Sequence, residues 1–160
     1  GWNNTVSYKN FDLNVFFRFS GGNKIMNASR QSALFNMDFS NNGTEILGRW
    51  ISPEQPGDGM TPKIGYGDAS SLFNDGYTDS HFVESGNYLK LSTLALGYTL
   101  PKAVVSKLNM TKIRFYVQGQ NLLTITGYSG LDPETNSRLG VDWNGMPQQR
   151  SFTFGANITF

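Results

Sequence analysis

The residues that most constrain this chain are its last ten, SFTFGANITF. Every second one, Phe152, Phe154, Ala156, Ile158 and Phe160, belongs to an apolar set, while Ser151, Thr153, Gly155, Asn157 and Thr159 are small or polar. Successive side chains of a β-strand point to opposite faces, so this pattern demands a strand with two unlike sides. The same period returns upstream. In residues 8–22, Phe11, Leu13, Val15, Phe17 and Phe19 oppose Asn10, Asp12, Asn14 and Arg18, with Phe16 as the exception. In residues 111–128, Ile113, Phe115 and Val117 oppose Lys112, Arg114, Tyr116, Gln118 and Gln120. In residues 87–101, Leu89 and Leu91 share one parity and Leu94, Leu96 and Tyr98 the other. A parity switch near Ser92–Thr93 signals a β-bulge, or a strand buried on both faces. About four strands are read this way, most of them longer than the usual 5–6 residues.

Composition agrees with an all-β chain and narrows its role. The chain has 160 residues, of which 16% are charged against the roughly 25% usual in soluble domains. Glycine (18) and phenylalanine (12) are abundant instead. A net charge of +1 with no basic run argues against nucleic-acid binding. The absence of cysteine removes disulfides, thiol catalysis and cysteine metal sites. No apolar run reaches the 18 residues of a membrane helix, but strands that alternate can cross a bilayer without one.

The connections are unequal. Residues between the first two strands are rich in Gly, Asn, Ser and Pro, with short helical patterns in NASRQSALFNMDF and NNGTEILGRW. SGLDPETNSRLGVDWNGMPQQ is also long, whereas PKAVVSKLNM is a compact turn. Long loops on one side and short turns on the other are the layout of an outer-membrane barrel. The apolar faces carry no charge, which suits hydrocarbon, and the polar faces carry Asn, Thr, Gln and Gly, which suits a wet lumen. Four strands cannot close a barrel whose smallest form has about eight, and an open edge in lipid leaves costly unpaired backbone groups. The strands therefore pair with others, or belong to something larger. Two rivals remain at this level: a small self-contained outer-membrane barrel and a secreted carbohydrate-binding β-sandwich.

The ordered motifs FVESGNYLKLSTLALGYTLP, RFYVQGQNLLTITGYSGLDPE and MPQQRSFTFGANITF, preceded by YKNFDLNVFFRFSGGNKIMN and RWISPEQPG, resemble the C-terminal end of SusC/RagA-type TonB-dependent transporters. The resemblance covers essentially all of residues 1–160. It implies the C-terminal antiparallel strands of a transmembrane β-barrel of about 22 strands with long external loops, whose plug domain and remaining strands are absent here. It further implies residence in the outer membrane and import of glycans or peptides beneath a SusD-like lipoprotein, energised by the TonB complex through the plug. Phe160 then matches the terminal aromatic read by the barrel-assembly machinery. PKAVVSKLNM would lie at the periplasmic side, with residues of roughly 20–82 and 128–149 outside.

Catalytic chemistry finds little support. His81 is the single histidine, and Asp79, Ser80 and His81 are neighbours in sequence rather than a convergent triad. GYGD at 65–68 lacks the rest of a phosphate-binding fingerprint. Asp132, Glu134 and Asn136 alternate as in a calcium loop but lack its sixth-position glycine and closing glutamate, so neither metal nor cofactor is expected. Ligand or lid contacts are expected instead from external-loop aromatics and a planar cation: Trp50, Tyr66, Tyr77, Arg138 and Trp143. Tyr98, Tyr128 and Phe160 sit near inferred strand ends, where an interfacial aromatic girdle is expected.

Overall fold

The computed structural model describes residues 1–34, 41–63, 80–134 and 139–160. Its strands are β1 (Trp2–Tyr8), β2 (Phe11–Ser20), β3 (Lys24–Asn27), β4 (Val83–Ser85), β5 (Tyr88–Thr99), β6 (Lys112–Thr126), β7 (Val141–Asp142) and β8 (Ser151–Thr159). They divide between two compact units, one of residues 1–22, 87–127 and 148–160, the other of residues 23–86 and 128–147.

The first unit is a five-stranded sheet in the order β1-β2-β5-β6-β8, each neighbour antiparallel. The alternation in the sequence predicts about four strands; β1 is the fifth. Asn4 interrupts its apolar set Trp2, Val6 and Tyr8, and seven residues with that break carry a weak period. A two-residue turn joins it to β2, with Lys9 in the left-handed region at φ 53°. Neither sheet among the described residues, of five and three strands, reaches the eight needed for a self-contained barrel.

Register aligns the alternating residues into rows. Tyr8, Phe11, Tyr98, Phe115 and Ala156 form one, and Val6, Leu13, Leu96, Val117 and Phe154 the next. The expected bulge is present at Ser92, and it grows across the sheet. β2 runs straight from Phe16 to Phe17, β5 inserts Ser92, and β6 inserts Asn121 and Leu122, the former at φ 53°. One extra residue flips the parity of β5; two restore that of β6. Leu89, Leu91, Leu94 and Leu96 thereby stay on one face with Phe115, Val117, Leu123 and Ile125. Gly119 falls on this face too, and a Cβ there would lie 2.8 Å from Leu122 Cδ2, so the inserted leucine fills the place of the missing side chain.

The opposite face is built of hydrogen bonds. Asn14 Nδ2 donates to Asn3 Oδ1 and Thr5 Oγ1, both at 2.9 Å. Arg114 Nε donates to Asp12 Oδ1 at 2.9 Å and its Nη2 to Oδ2, reaching across β5 where Gly97 has no side chain to block them. A Cβ at Gly97 would stand 2.3 Å from Arg114 Nη2 and 2.5 Å from Asp12 Oδ1. Gly155 does the same for Tyr116, whose ring lies where a Cβ would project. These glycines are absences of volume that let long polar side chains lie flat on the sheet.

The short connection from β5 to β6 is a helical turn, Lys102–Val105, then a 3₁₀ turn, Ser106–Leu108, closed by Asn109 in the left-handed region. Val105 and Ile113 are buried at 2% and 5% exposure. Ile113 thus shares the parity of Phe115 and Val117 but is covered at the strand's end. The rest of the apolar face stays open, with Phe154 79% exposed. A β-sandwich would bury this face against a second sheet, so the open face argues against that rival.

The second unit gathers both long connections. β3 pairs antiparallel with β4 and parallel with β7, joining segments far apart in sequence. Ile25 and Phe82 are fully buried, and Met26 and Ile46 pack on Phe82. The helical patterns read in the sequence become a π turn at Arg30–Leu34 and a 3₁₀ helix at Thr44–Gly48.

Candidate functional site

Within the second unit, residues from both long connections meet around a cleft of about 320 Å³ lined by Asn27, Ser29, Arg30, Glu45, Ser129 and Asp142, among others. Arg30 is its hub. Its Nε and Nη2 fork onto Glu45 at 3.0 and 2.7 Å, Nη1 donates to the His81 carbonyl at 3.2 Å, and its guanidinium lies 5.7 Å from the Phe82 ring centroid. Glu84 closes the other side by accepting the Ser129 N–H at 2.8 Å and hydroxyl at 2.6 Å, together with Asn27 Nδ2 at 3.2 Å. Charge-assisted forks of this type are the stronger class of hydrogen bond. The geometry ties the segment after β6 to β3, β4 and the 3₁₀ helix.

Tyr128 supplies a second tie. Its hydroxyl donates to Asp142 Oδ2 at 2.6 Å in a buried setting. Burial foremost, then the hydrogen bond to Asp142, pushes the tyrosine pKa upward. The other Asp142 oxygen accepts the N–H groups of Asn144 at 2.9 Å and Gly145 at 3.3 Å. This corrects the girdle expectation for Tyr128, which is a buried strut of the loop unit. Tyr98 lies near the end of β5 on the apolar face, its ring tilted against that of Phe11 with centroids 4.7 Å apart.

Of the expected contact residues, Trp50 and Trp143 are among those described. Trp143 projects from the tight turn that Asp142 caps and is 71% exposed. Trp50 is 37% exposed beside a separate shallow cleft, with Lys63 Nζ 5.8 Å from its ring centroid. That segment is shaped by Asp58, whose carboxylate accepts the N–H groups of Thr61 and Met60 at 2.7 and 2.8 Å. Those bonds hold its pKa below the usual carboxylate value. Tyr66, Tyr77 and Arg138 lie outside the described residues, as do Asp79, Asn136 and the GYGD stretch. Asp132 is buried and accepts the Glu134 N–H at 3.0 Å, a local turn. His81 packs edge-on to Phe82 at 4.9 Å. Phe160 follows the last residue of β8 and is 85% exposed.

The residues that organise this unit, Arg30, Glu45, Glu84 and Tyr128, carry no motif that marks them as a site in the sequence. They lie in separate segments, Arg30 in the π turn, Glu45 in the 3₁₀ helix, Glu84 in β4 and Tyr128 after β6, and the pairing of β3 with both β4 and β7 joins distant parts of the chain there.

No protein-family model matches the chain. Individual proteins do. The TonB-dependent receptor P3 of Formosa agariphila is 33% identical over 170 residues, which cover 100% of this chain and 16% of that receptor. The TonB-dependent receptor SusC of Bacteroides thetaiotaomicron is 26% identical over 176 residues, 100% of this chain and 15% of SusC. Among solved structures, the RagAB peptide transporter matches with a TM-score of 0.78 at 27% identity, covering 96% of this chain and 16% of that one. The chain therefore spans about 16% of the length of such relatives. An antiparallel wall with one apolar and one polar face, its long connections leaving one end, matched in sequence and backbone by these proteins, places the chain in the SusC/RagA type of TonB-dependent receptors, as part of their transmembrane β-barrel.

Proposed function

We propose that this chain is the C-terminal wall segment of an outer-membrane importer, one of roughly 22 strands, with no enzymatic role of its own. The apolar face meets lipid and the polar face lines the lumen. The loop unit stands outside, where Trp50 and Trp143, with Tyr66, Tyr77 and Arg138, contact substrate or a SusD-like lipoprotein. Energy for import comes from TonB through a plug domain elsewhere in the protein, and Phe160 serves the assembly machinery. The substrate is an oligosaccharide or a peptide.

The observation that carries this reading is the sheet itself. Five strands share an exposed apolar face without a single charged residue, and the outermost strands β1 and β8 offer edges for further pairing. In water such a face is a liability, and in a bilayer it is the required surface. Support for import comes from the relatives' TonB dependence and from the peptide-transporter match.

The test is uptake of fluorescent oligosaccharide and oligopeptide libraries by cells carrying the full-length receptor, with and without functional TonB. TonB-dependent accumulation of either class supports import and identifies the substrate class. Accumulation of neither, or accumulation indifferent to TonB, overturns the reading.

A further inference from the structure

Charge is divided unequally between the two units. The sheet unit holds eight of the chain's thirteen Lys and Arg but only one of its twelve Asp and Glu, Asp12, which is already paired with Arg114. Three of those lysines, Lys9, Lys102 and Lys107, are exposed on the two short turns at one end of the sheet. Lys9 leans over the apolar face, its Nζ 5.4 Å from the ring centroid of Tyr8. Lys102 and Lys107 share their turn with Val104 and Leu108, which are 45% and 53% exposed. Lysines alternating with bare aliphatic side chains beside tyrosines are suited to a membrane interface, where the stem stays in the apolar layer and the ammonium reaches the headgroups.

The apolar face just inside this end is grooved. Phe11, Leu96, Tyr98, Phe115, Val117 and Phe154 line a shallow depression of about 360 Å³ that is almost wholly apolar. In the row of Phe11, Tyr98 and Phe115 that borders it, the next position is the small Ala156.

We infer that this end of the wall is a binding surface for an anionic phospholipid, its phosphate held by Lys9, Lys102 and Lys107 and an acyl chain laid in the groove. The inference rests on the apolar face being lipid-facing. A phosphate brings the negative charge that the side chains of this unit lack, Asp12 being its single acidic side chain and already paired with Arg114. Each lysine near an anionic surface adds attraction enough for a several-fold preference, and three acting together amount to at least tenfold, on the order expected for such clusters. The attraction is electrostatic and exposed, so salt screens it.

The experiment uses the full-length receptor in nanodiscs of mixed phosphatidylglycerol and phosphatidylcholine, reading annular lipid by native mass spectrometry and by quenching with brominated lipids. Wild type should retain phosphatidylglycerol over phosphatidylcholine at low salt and lose that preference at about 0.5 M salt, where screening is short-ranged. The triple change Lys9→Gln, Lys102→Gln and Lys107→Gln should reduce the preference at least about tenfold, while Arg150→Gln at the other end of the sheet leaves it intact. No preference in wild type, or a preference indifferent to both salt and the triple change, overturns the inference. A single cysteine at residue 117, tested with a lipid-partitioning reagent in the same discs, separates the two readings. Labelling without lipid preference sinks only this inference, whereas no labelling sinks the lipid-facing assignment beneath it. The salt titration is made on wild type and so does not depend on the variant assembling.

Discussion

Val117 is the sharpest probe of which side of the wall meets lipid. It lies in the central part of β6, in a row between Leu96 and Phe154. Its neighbour Gln118 pairs with Ala95 and Thr153, small residues that leave room for a longer side chain. An arginine on the lipid side near the bilayer midplane costs about 2–4 kcal/mol, falling toward zero at the interfaces. Val117→Arg should therefore destabilise the full-length receptor by about that amount, a shift of roughly 30- to 1,000-fold in the folding equilibrium. Gln118→Arg adds a charge to a hydrated surface already holding Arg114 and should change stability by less than about 0.5 kcal/mol. Urea titration in lipid vesicles, followed by heat-modifiable electrophoretic mobility, reads both. A protein core would also reject arginine at 117, so cysteine labelling decides the cause. No cysteine in this chain competes, and a lipid-partitioning maleimide should modify Val117→Cys and spare Gln118→Cys. The reverse pattern would mean a register wrong by one residue and would invert every face assignment.

Further outcomes follow from other parts of the structure. Gly97→Val should cost about 1–3 kcal/mol by driving a side chain between Arg114 and Asp12. Asp12→Asn should cost only about 1 kcal/mol or less, since both side chains are partly solvated; equal effects in the same urea titration would refute the spacer role of Gly97. Removing Phe160, or Phe160→Asp, should lower the amount of assembled receptor while leaving assembled molecules able to transport, and unchanged levels on heat-modifiable gels would exclude an assembly role. Tyr128→Phe should loosen the loop unit by about 1–2 kcal/mol, seen as faster hydrogen exchange around Asp142. Because folding raises the Tyr128 pKa above the ordinary 10.0, its contribution is intact below that pH and lost as pH climbs through the raised folded value. Exchange near Asp142 should therefore accelerate in strong alkali in wild type, with that component absent from Tyr128→Phe.

What the sequence determined by itself was the two-faced strand. Side chains alternate at every residue of an extended backbone, so Phe152, Phe154 and Ile158 declared both the strand and its apolar side. The parity change between Leu91 and Leu94 was equally legible, because one inserted residue flips the pattern. The paired insertion of Asn121 and Leu122 was silent for the same reason, since two residues restore the parity. β1 escaped because Asn4 broke a short period. Tyr128 read as a girdle residue from its place beyond a strand end, yet burial and the Asp142 carboxylate make it a loop strut. The loop network depended on tertiary structure throughout. Arg30, Glu45, Glu84 and Ser129 carry no local signal, since a fork between Arg30 and Glu45 or a clamp of Glu84 on Ser129 requires segments that only β3, pairing with both β4 and β7, brings together. Alternation is a property of neighbours along the chain, whereas a hydrogen-bonded cleft is a property of neighbours in space, and only folding creates those.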